Sequence, residues 1–269
     1  MPLISHHVAL AELNGKIYMV GGFVKPASGP SAWQPIDNLW EYDPANDSWK
    51  ALAPMPTKRG SPNAAIVNGK LYVIGGAGLS PGAKETALHP ARPQRVLGTN
   101  EVYDIATNKW ETKSPMPTTR NHAAIGVVNN KIYVIGGRVG NAFITRASNT
   151  DVVEEYDPAT DQWGPLLAPM PTARSASAWG TYKGRIYVAG GELRTDRMSA
   201  AFRAVEAYEP ATNRWIILPS MAVQRHGLAG DILGSRFHTV SGNVQSGGAE
   251  GMVIATDAHD ALELESGGK

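Results

Sequence analysis

Ile132-Tyr133-Val134-Ile135-Gly136-Gly137 is the stretch from which the fold is read. Four apolar residues of strand-forming type run into two glycines, which writes a buried β-strand ending in a sharp turn. The same chain repeats it. Ile17-Tyr18-Met19-Val20 precedes Gly21-Gly22, Leu71-Tyr72-Val73-Ile74 precedes Gly75-Gly76, and Ile186-Tyr187-Val188-Ala189 precedes Gly190-Gly191. Phe237-His238-Thr239-Val240 before Ser241-Gly242 is a degenerate fifth copy. Downstream come Tyr42-Asp43-Pro44, Tyr103-Asp104, Tyr156-Asp157-Pro158 and Tyr208-Glu209-Pro210, and seven residues after each Tyr stands Trp49, Trp110, Trp163 or Trp215. Pro54-Met55-Pro56, Pro115-Met116-Pro117, Pro169-Met170-Pro171 and the looser Pro219-Ser220-Met221 then lead to Arg59, Arg120, Arg174 and Arg225. The period is roughly 50 to 60 residues, the spacing of propeller blades.

Each repeat reads as a four-stranded meander. Strand a is the small-residue run after the Arg, as in Ala64-Ala65-Ile66-Val67. Tight turns at Asn14-Gly15, Asn68-Gly69, Asn129-Asn130, Lys183-Gly184 and Gly234-Ser235 lead into strand b, and such turns call for positive φ at both central residues. Strand b ends at the Gly pair, strand c at Tyr-Asp, and strand d carries the Trp. Small residues on strand a and large aromatics on later strands fit blades that converge on an axis.

Composition excludes several classes. The chain of 269 residues has Gly 29 and Pro 19 with only 18% charged residues, a turn-rich all-β profile. Cys 0 rules out disulfides, thiolate nucleophiles and cysteine metal ligands. A net charge of +1 gives no pull toward nucleic acid or anionic membrane. No run approaches the ~20 apolar residues of a membrane span. Met1-Pro2-Leu3-Ile4-Ser5-His6-His7 lacks the basic start and apolar stretch of a signal peptide.

The Gly-Gly, Tyr-Asp, Trp and Arg positions together resemble the kelch-repeat β-propellers over nearly the whole chain. The resemblance implies one propeller domain over 1–269. Its blades are expected at about 5–56, 57–117, 118–171, 172–221 and 222–264, with 265–269 as a tail. Strand c of the last blade is expected near His259–Leu264, and no Trp-bearing strand d follows it. Met1–Ser5 aligns with Met116–Arg120, so the chain begins just after the place of a strand d. The expectation is therefore a truncated chain or a misassigned start, with an incomplete fifth blade and an unpaired edge. A missing upstream segment also leaves the compartment open.

Strand parity puts the long b-to-c loops on the same side as the d-to-a connections. These loops, 23–37, 77–99, 138–150 and 192–203, are where binding is expected. They lean basic: Lys25, Lys84, Arg92, Arg95, Arg138, Arg146, Arg194, Arg197 and Arg203 stand against Asp37, Glu85, Glu192 and Asp196. An anionic protein or glycan ligand suits that balance, because guanidinium groups fork onto carboxylates; a merely solvated loop surface is the plainer reading. Candidate ligand-binding residues are Arg59, Arg120, His122, Arg138, Arg174, Glu192, Arg194, Arg225 and His226. The recurrence of Arg59, Arg120, Arg174 and Arg225, with Ser5 in their place in the first copy, also fits an architectural role. Arg138 and Glu192 break the repeat, occupying the position of Phe23, Ala77 and Asn243.

His6, His7, His122 and His226 sit at the start of strand a and converge on the channel mouth in a closed ring. Their spacing carries no metal signature, so no metal and no cofactor is assigned. Nucleophile-elbow, phosphate-loop and dinucleotide patterns are absent. Copper-radical galactose oxidases have kelch-like propellers, but their Tyr–Cys cofactor is impossible without Cys. The reading is a binding module for a protein or glycan, monomeric if the ring closes. A sialic-acid-type mutarotase or epimerase acting at the channel mouth is the enzymatic alternative. A structural module completed by another chain is the third.

Overall fold

Two-residue turns set the register of the blades. Asn14-Gly15, Asn68-Gly69, Asn129-Asn130 and Lys183-Gly184 place both central residues at positive φ, the geometry that matches the twist of paired strands. Gly234-Ser235 departs from the expectation, with Gly234 alone at positive φ (61°). Glycine at the first turn position selects the other tight hairpin turn, whose second residue keeps ordinary φ.

The computed structural model describes residues 1–28, 32–80, 82–89, 95–140, 142, 149–194, 198–246 and 254–264. Every regular element among them is a strand. Strands a to d of the first blade are Ala9–Leu13, Lys16–Val20, Leu39–Asp43 and Ser48–Ala51. Those of the second are Asn63–Val67, Lys70–Ile74, Asn100–Asp104 and Lys109–Lys113. The third has Ala124–Val128, Lys131–Ile135, Val153–Asp157 and Gln162–Trp163, and the fourth Ala178–Tyr182, Arg185–Ala189, Val205–Glu209 and Arg214–Leu218. In the fifth, Ala229–Leu233, Arg236–Val240 and His259–Glu263 form a three-stranded sheet among the described residues. Strand c thus falls where the sequence put it, and the tail 265–269 lies outside the described residues.

The chain divides into two compact units. One comprises Met1–His122, Val139–Phe143 and Pro158–Trp163; the other comprises Ala123–Arg138, Ile144–Asp157 and Gly164–Lys269. In the first unit Ala9, Tyr18, Val20 and Leu39 of blade one pack on Ala64, Leu71 and Val73 of blade two. In the second unit Ala124, Tyr133 and Ile135 pack on Ile186, Val188 and Tyr208, while Ala178, Tyr187 and Ala189 pack on Phe237. Within blade two, strand a is almost wholly buried and strand d is mostly exposed.

Tyr and Trp of the repeat face each other across strands c and d. Tyr103 pairs with Trp110 and Tyr208 with Trp215, with ring centroids 5.2 and 5.3 Å apart. Trp110, Trp163 and Trp215 also donate to backbone carbonyls that follow an earlier strand d. Trp110 Nε1 donates to Ala53 O (2.8 Å) and Trp163 Nε1 to Ser114 O (2.9 Å) in the first unit; Trp215 Nε1 donates to Ala168 O (3.0 Å) in the second.

A second tie uses the Gly pairs. Gly22 N donates to Arg59 O (3.0 Å) and Gly76 N to Arg120 O (2.9 Å). In the second unit Gly137 N donates to Arg174 O (2.9 Å) and Gly191 N to Arg225 O (2.7 Å). At Gly75, with φ +70°, an added Cβ would stand 2.6 Å from Arg120 O. Gly69 has nearly the same φ, +73°, with nothing within 4 Å. Gly69→Ala is expected to cost about 1–2 kcal/mol for its backbone conformation alone. Gly75→Ala adds the carbonyl clash and should cost about 3–5 kcal/mol, read as a larger fall in the urea midpoint.

Burial, and then the Glu41 carboxylate that accepts its hydroxyl (3.0 Å), pushes the Tyr18 phenol up to about 12. Burial, and then the charge of Glu155, pushes Tyr208 to about 12 as well. An unfolded tyrosine ionises near pH ~10, so above that pH the unfolded state binds fewer protons than the native one. The stability these phenols contribute is complete below pH ~10 and is lost as pH climbs to about 12. Alkaline titration should show tyrosinate absorbance for Tyr18 and Tyr208 appearing together with loss of β-sheet circular dichroism.

Candidate functional site

The repeat arginines are turned into the blades. Arg59, Arg120 and Arg225 are fully buried and Arg174 nearly so. Arg59 donates to Glu101 on strand c of its own blade and to Val73 O on strand b (2.8 Å). Thr57 Oγ1 donates to the other Glu101 oxygen (2.6 Å). Arg174 repeats this with Glu206 (2.6 Å), Val188 O (3.1 Å) and Thr172. Arg225 substitutes Asp260, Thr239 Oγ1 (3.1 Å) and Ala258 O (2.7 Å). Arg120 Nη1 donates to Thr118 O (2.9 Å). Burial pulls the guanidinium pKa of Arg59 and Arg174 down, while the facing glutamates push the other way. Arg59, Arg174 and Arg225 link strands b and c of their own blades, and the four buried side chains present no guanidinium face to solvent.

The positions after each Arg form a rim on the long-loop side. The second residue after the Arg position is left-handed in all five blades: His7 (φ 55°), Ser61 (51°), His122 (53°), Ala176 (55°) and Gly227 (59°). Backbone bonds chain them within each unit: Ser61 N to His7 O (2.9 Å), His122 N to Ser61 O (3.2 Å), and Gly227 N to Ala176 O (2.8 Å). The first residue after the Arg position bridges the residue after the Gly pair, as in His6 with Phe23, Gly60 with Ala77, Ser175 with Glu192 and His226 with Asn243.

In the first unit this rim is aromatic and imidazole-rich. The Trp33 indole lies 4.7 Å from the His7 ring and 5.2 Å from that of His6. His7 and His122 are 4.9 Å apart, and Ser61 Oγ is 3.2 Å from His122 Nε2. Reciprocal backbone bonds with Leu88 fix Trp33 (2.9 and 2.7 Å), and Phe23, Ala77, Leu88 and Ala142 form the apolar floor. Burial holds the His6 pKa below the ordinary imidazole value.

In the second unit the rim is a buried polar network. Arg138 Nη2 donates to Glu192 Oε1 (2.7 Å), and both residues are buried. Ser246 Oγ donates to Glu192 Oε2 (2.8 Å), and His226 Nδ1 lies 3.5 Å from that oxygen. Asn149 Nδ2 donates to Ser175 Oγ (2.8 Å) and Glu192 O (2.9 Å). Arg138, one of the basic loop residues and a candidate ligand-binding residue, has its charge answered inside the protein by Glu192. The Arg194 side chain and residues Arg92, Arg146, Asp196 and Arg197 lie outside the described residues. A cleft of about 130 Å³ between blades four and five is lined by Met221, Phe237, Thr239, Asp260 and Leu262.

Sequence reading missed Trp33, Ser61, Ser175, Asn149 and Ser246. Ser61 and Ser175 had a signal, since they stand at the same offsets from Arg as His122 and His226. The other three come from loops without repeat counterparts. Among the described residues, His, Asp and Glu form no metal-holding group of three or more.

Models of the Kelch motif match residues 5–56, 119–166 and 173–222, and a second such model matches 58–117. This chain belongs to the kelch-repeat family. Kelch-like protein terF of Aspergillus terreus is 30% identical over 230 residues, covering 84% of this chain and 47% of the relative. Human Kelch repeat and BTB domain-containing protein 12 is 29% identical over 216 residues, covering 78% of this chain and 33% of the relative. The chain thus spans half or less of these relatives. The solved structure described as "Structure of YjhT" superposes with a TM-score of 0.71 at 20% identity, over 90% of this chain and 73% of that one, which shows the propeller fold.

The side chains of Arg174 and Glu206 are 0% and 3% exposed. Glu206→Ala would leave the arginine charge buried and unanswered, an expected loss of about 3–5 kcal/mol. Asp37→Ala, which breaks only an exposed pair with Lys58, should cost less than about 1 kcal/mol. Chemical denaturation of the two variants measures the contrast.

Proposed function

We propose that this kelch propeller is a non-catalytic binding module that takes a protein partner on its long-loop side, anchored at the Trp33–His7–His122 shelf of the first unit. One observation carries the reading. The arginines repeated in four of the five blades are consumed inside the protein, whereas the rim residues reaching solvent differ from blade to blade. His7 is exposed, and Trp33 and His122 are partly so. They stand on a bonded backbone rim over a buried apolar floor. Rigid aromatic anchors that lose little entropy on docking are what binding hot spots require.

Sugar mutarotation requires an acid–base pair open to substrate. Glu192 is an inferior candidate for that role. Its two oxygens are engaged by Arg138 and Ser246, and the neighbouring His226 is held by Gln245 O (3.0 Å). The inward pairing of Arg138 also weakens the case for an anionic ligand in that unit.

Immobilised wild-type chain and the Trp33→Ala/His7→Ala variant should be compared as baits by quantitative mass spectrometry. The expected result is a partner retained by wild type and depleted about 30-fold or more on the variant, the equivalent of a lost hot spot of about 2 kcal/mol, at unchanged melting temperature. Equal retention by both baits, or clear acceleration of sugar anomer exchange by the wild type in NMR, overturns the reading.

A further inference from the structure

The fifth blade departs from the repeat on one face. In blades one to four the middle residue of strand b is Tyr18, Tyr72, Tyr133 or Tyr187, set opposite Ala11, Ala65, Gly126 or Gly180. In the fifth blade His238 stands there, opposite Asp231. His259, at the start of strand c, lies diagonal to it across the b–c ladder. The imidazole centroids are 5.1 Å apart, and His238 Nδ1 lies 2.9 Å from His259 Nε2. His259 is exposed and His238 half-buried. Phe237, between the turn and His238, points the other way and packs on Ala178 and Tyr187 of blade four, so blade four does not cover the histidine face.

The centroid and nitrogen separations put both nitrogens almost on the line between the ring centres, a hydrogen-bonding pose, and a tilt of the exposed His259 ring would turn both lone pairs toward one cation. Imidazole–metal bonds of about 2.0–2.1 Å let one ion reach both nitrogens after such a tilt. Among first-row divalent ions the affinity of imidazole sites peaks at Cu²⁺. We propose that His238 and His259 form a two-nitrogen chelate for a late first-row divalent cation, Cu²⁺ before Ni²⁺ and Zn²⁺. Asp231 is the carboxylate on the same face. Its Oδ1 accepts the Ile232 amide (2.7 Å). Arg236 and Glu263, the other charged groups of that face, pair with each other at 2.9 Å. A bound ion would staple strand c, at the sheet edge, to strand b.

The test uses the 269-residue chain with CuCl₂, NiCl₂ and ZnCl₂ in calorimetric titration and thermal-shift assays, alongside His259→Ala and His7→Ala. His7→Ala is the control because His6 and His7 are also in ring contact. Expected are one Cu²⁺ site, weaker Ni²⁺ and Zn²⁺ binding, a tenfold or greater loss of Cu²⁺ affinity in His259→Ala, and no loss in His7→Ala. Unchanged affinity in His259→Ala, or loss in His7→Ala instead, overturns the proposal. Should His259→Ala melt early in EDTA, paramagnetic broadening of wild-type histidine resonances by Cu²⁺ decides. Broadening of His238 and His259 supports the chelate, and broadening confined to the other histidines refutes it.

Discussion

A single backbone contact organises the blades of each unit: the carbonyl oxygen of the repeat arginine accepts the amide hydrogen of the second glycine of the preceding blade. A side chain on the first glycine would obstruct that approach, at 2.6 Å for both Gly21 and Gly75. The arginine that offers the carbonyl is itself clamped by a carboxylate of strand c, Glu101 for Arg59 and Glu206 for Arg174. Residues far apart in the repeat, Gly-Gly, Arg and the acidic residue, are therefore parts of one joint. A buried ion pair is weak evidence for stability in itself. Here it sets where the carbonyl points and hence how one blade meets the next.

Most of the fold was legible because each of its cues is local. Asn-Gly turns, strands that stop at Gly pairs and Trp seven residues beyond Tyr all report on backbone within a few residues. The exception among the turns, Gly234-Ser235, occurs in the copy whose other signals are also weakened, where Ser241-Gly242 replaces Gly-Gly. The short ladders within the loops, such as Phe23–Val24 with Gln34–Pro35 and Glu192–Arg194 with Ser199–Ala201, carried no comparable mark. They are two or three residues long, too short for alternation to show.

The candidate site was legible only in part. Breaks in the repeat pointed to Arg138 and Glu192, and the structure brings both into one network. The sequence could not tell that they answer each other, because their pairing depends on neighbouring blades rather than spacing along the chain. Arg138, counted among the basic residues of the loops, is paired inward with Glu192, which its position along the chain does not reveal. Trp33 was invisible from the other direction: nothing local distinguishes a loop tryptophan pinned by Leu88 from one in solution.

The left-handed rim position constrains what the loop side can become. His, Ser, Ala and Gly occupy it, and β-branched residues are strongly disfavoured at that φ. Diversification there draws on a restricted alphabet in which backbone geometry, acting before any ligand does, filters out valine, isoleucine and threonine. Changes of specificity in a scaffold of this kind are then expected to arise from swaps among small, hydroxyl, amide and imidazole groups at the rim, with bulk supplied from the loops, as Trp33 does over His7.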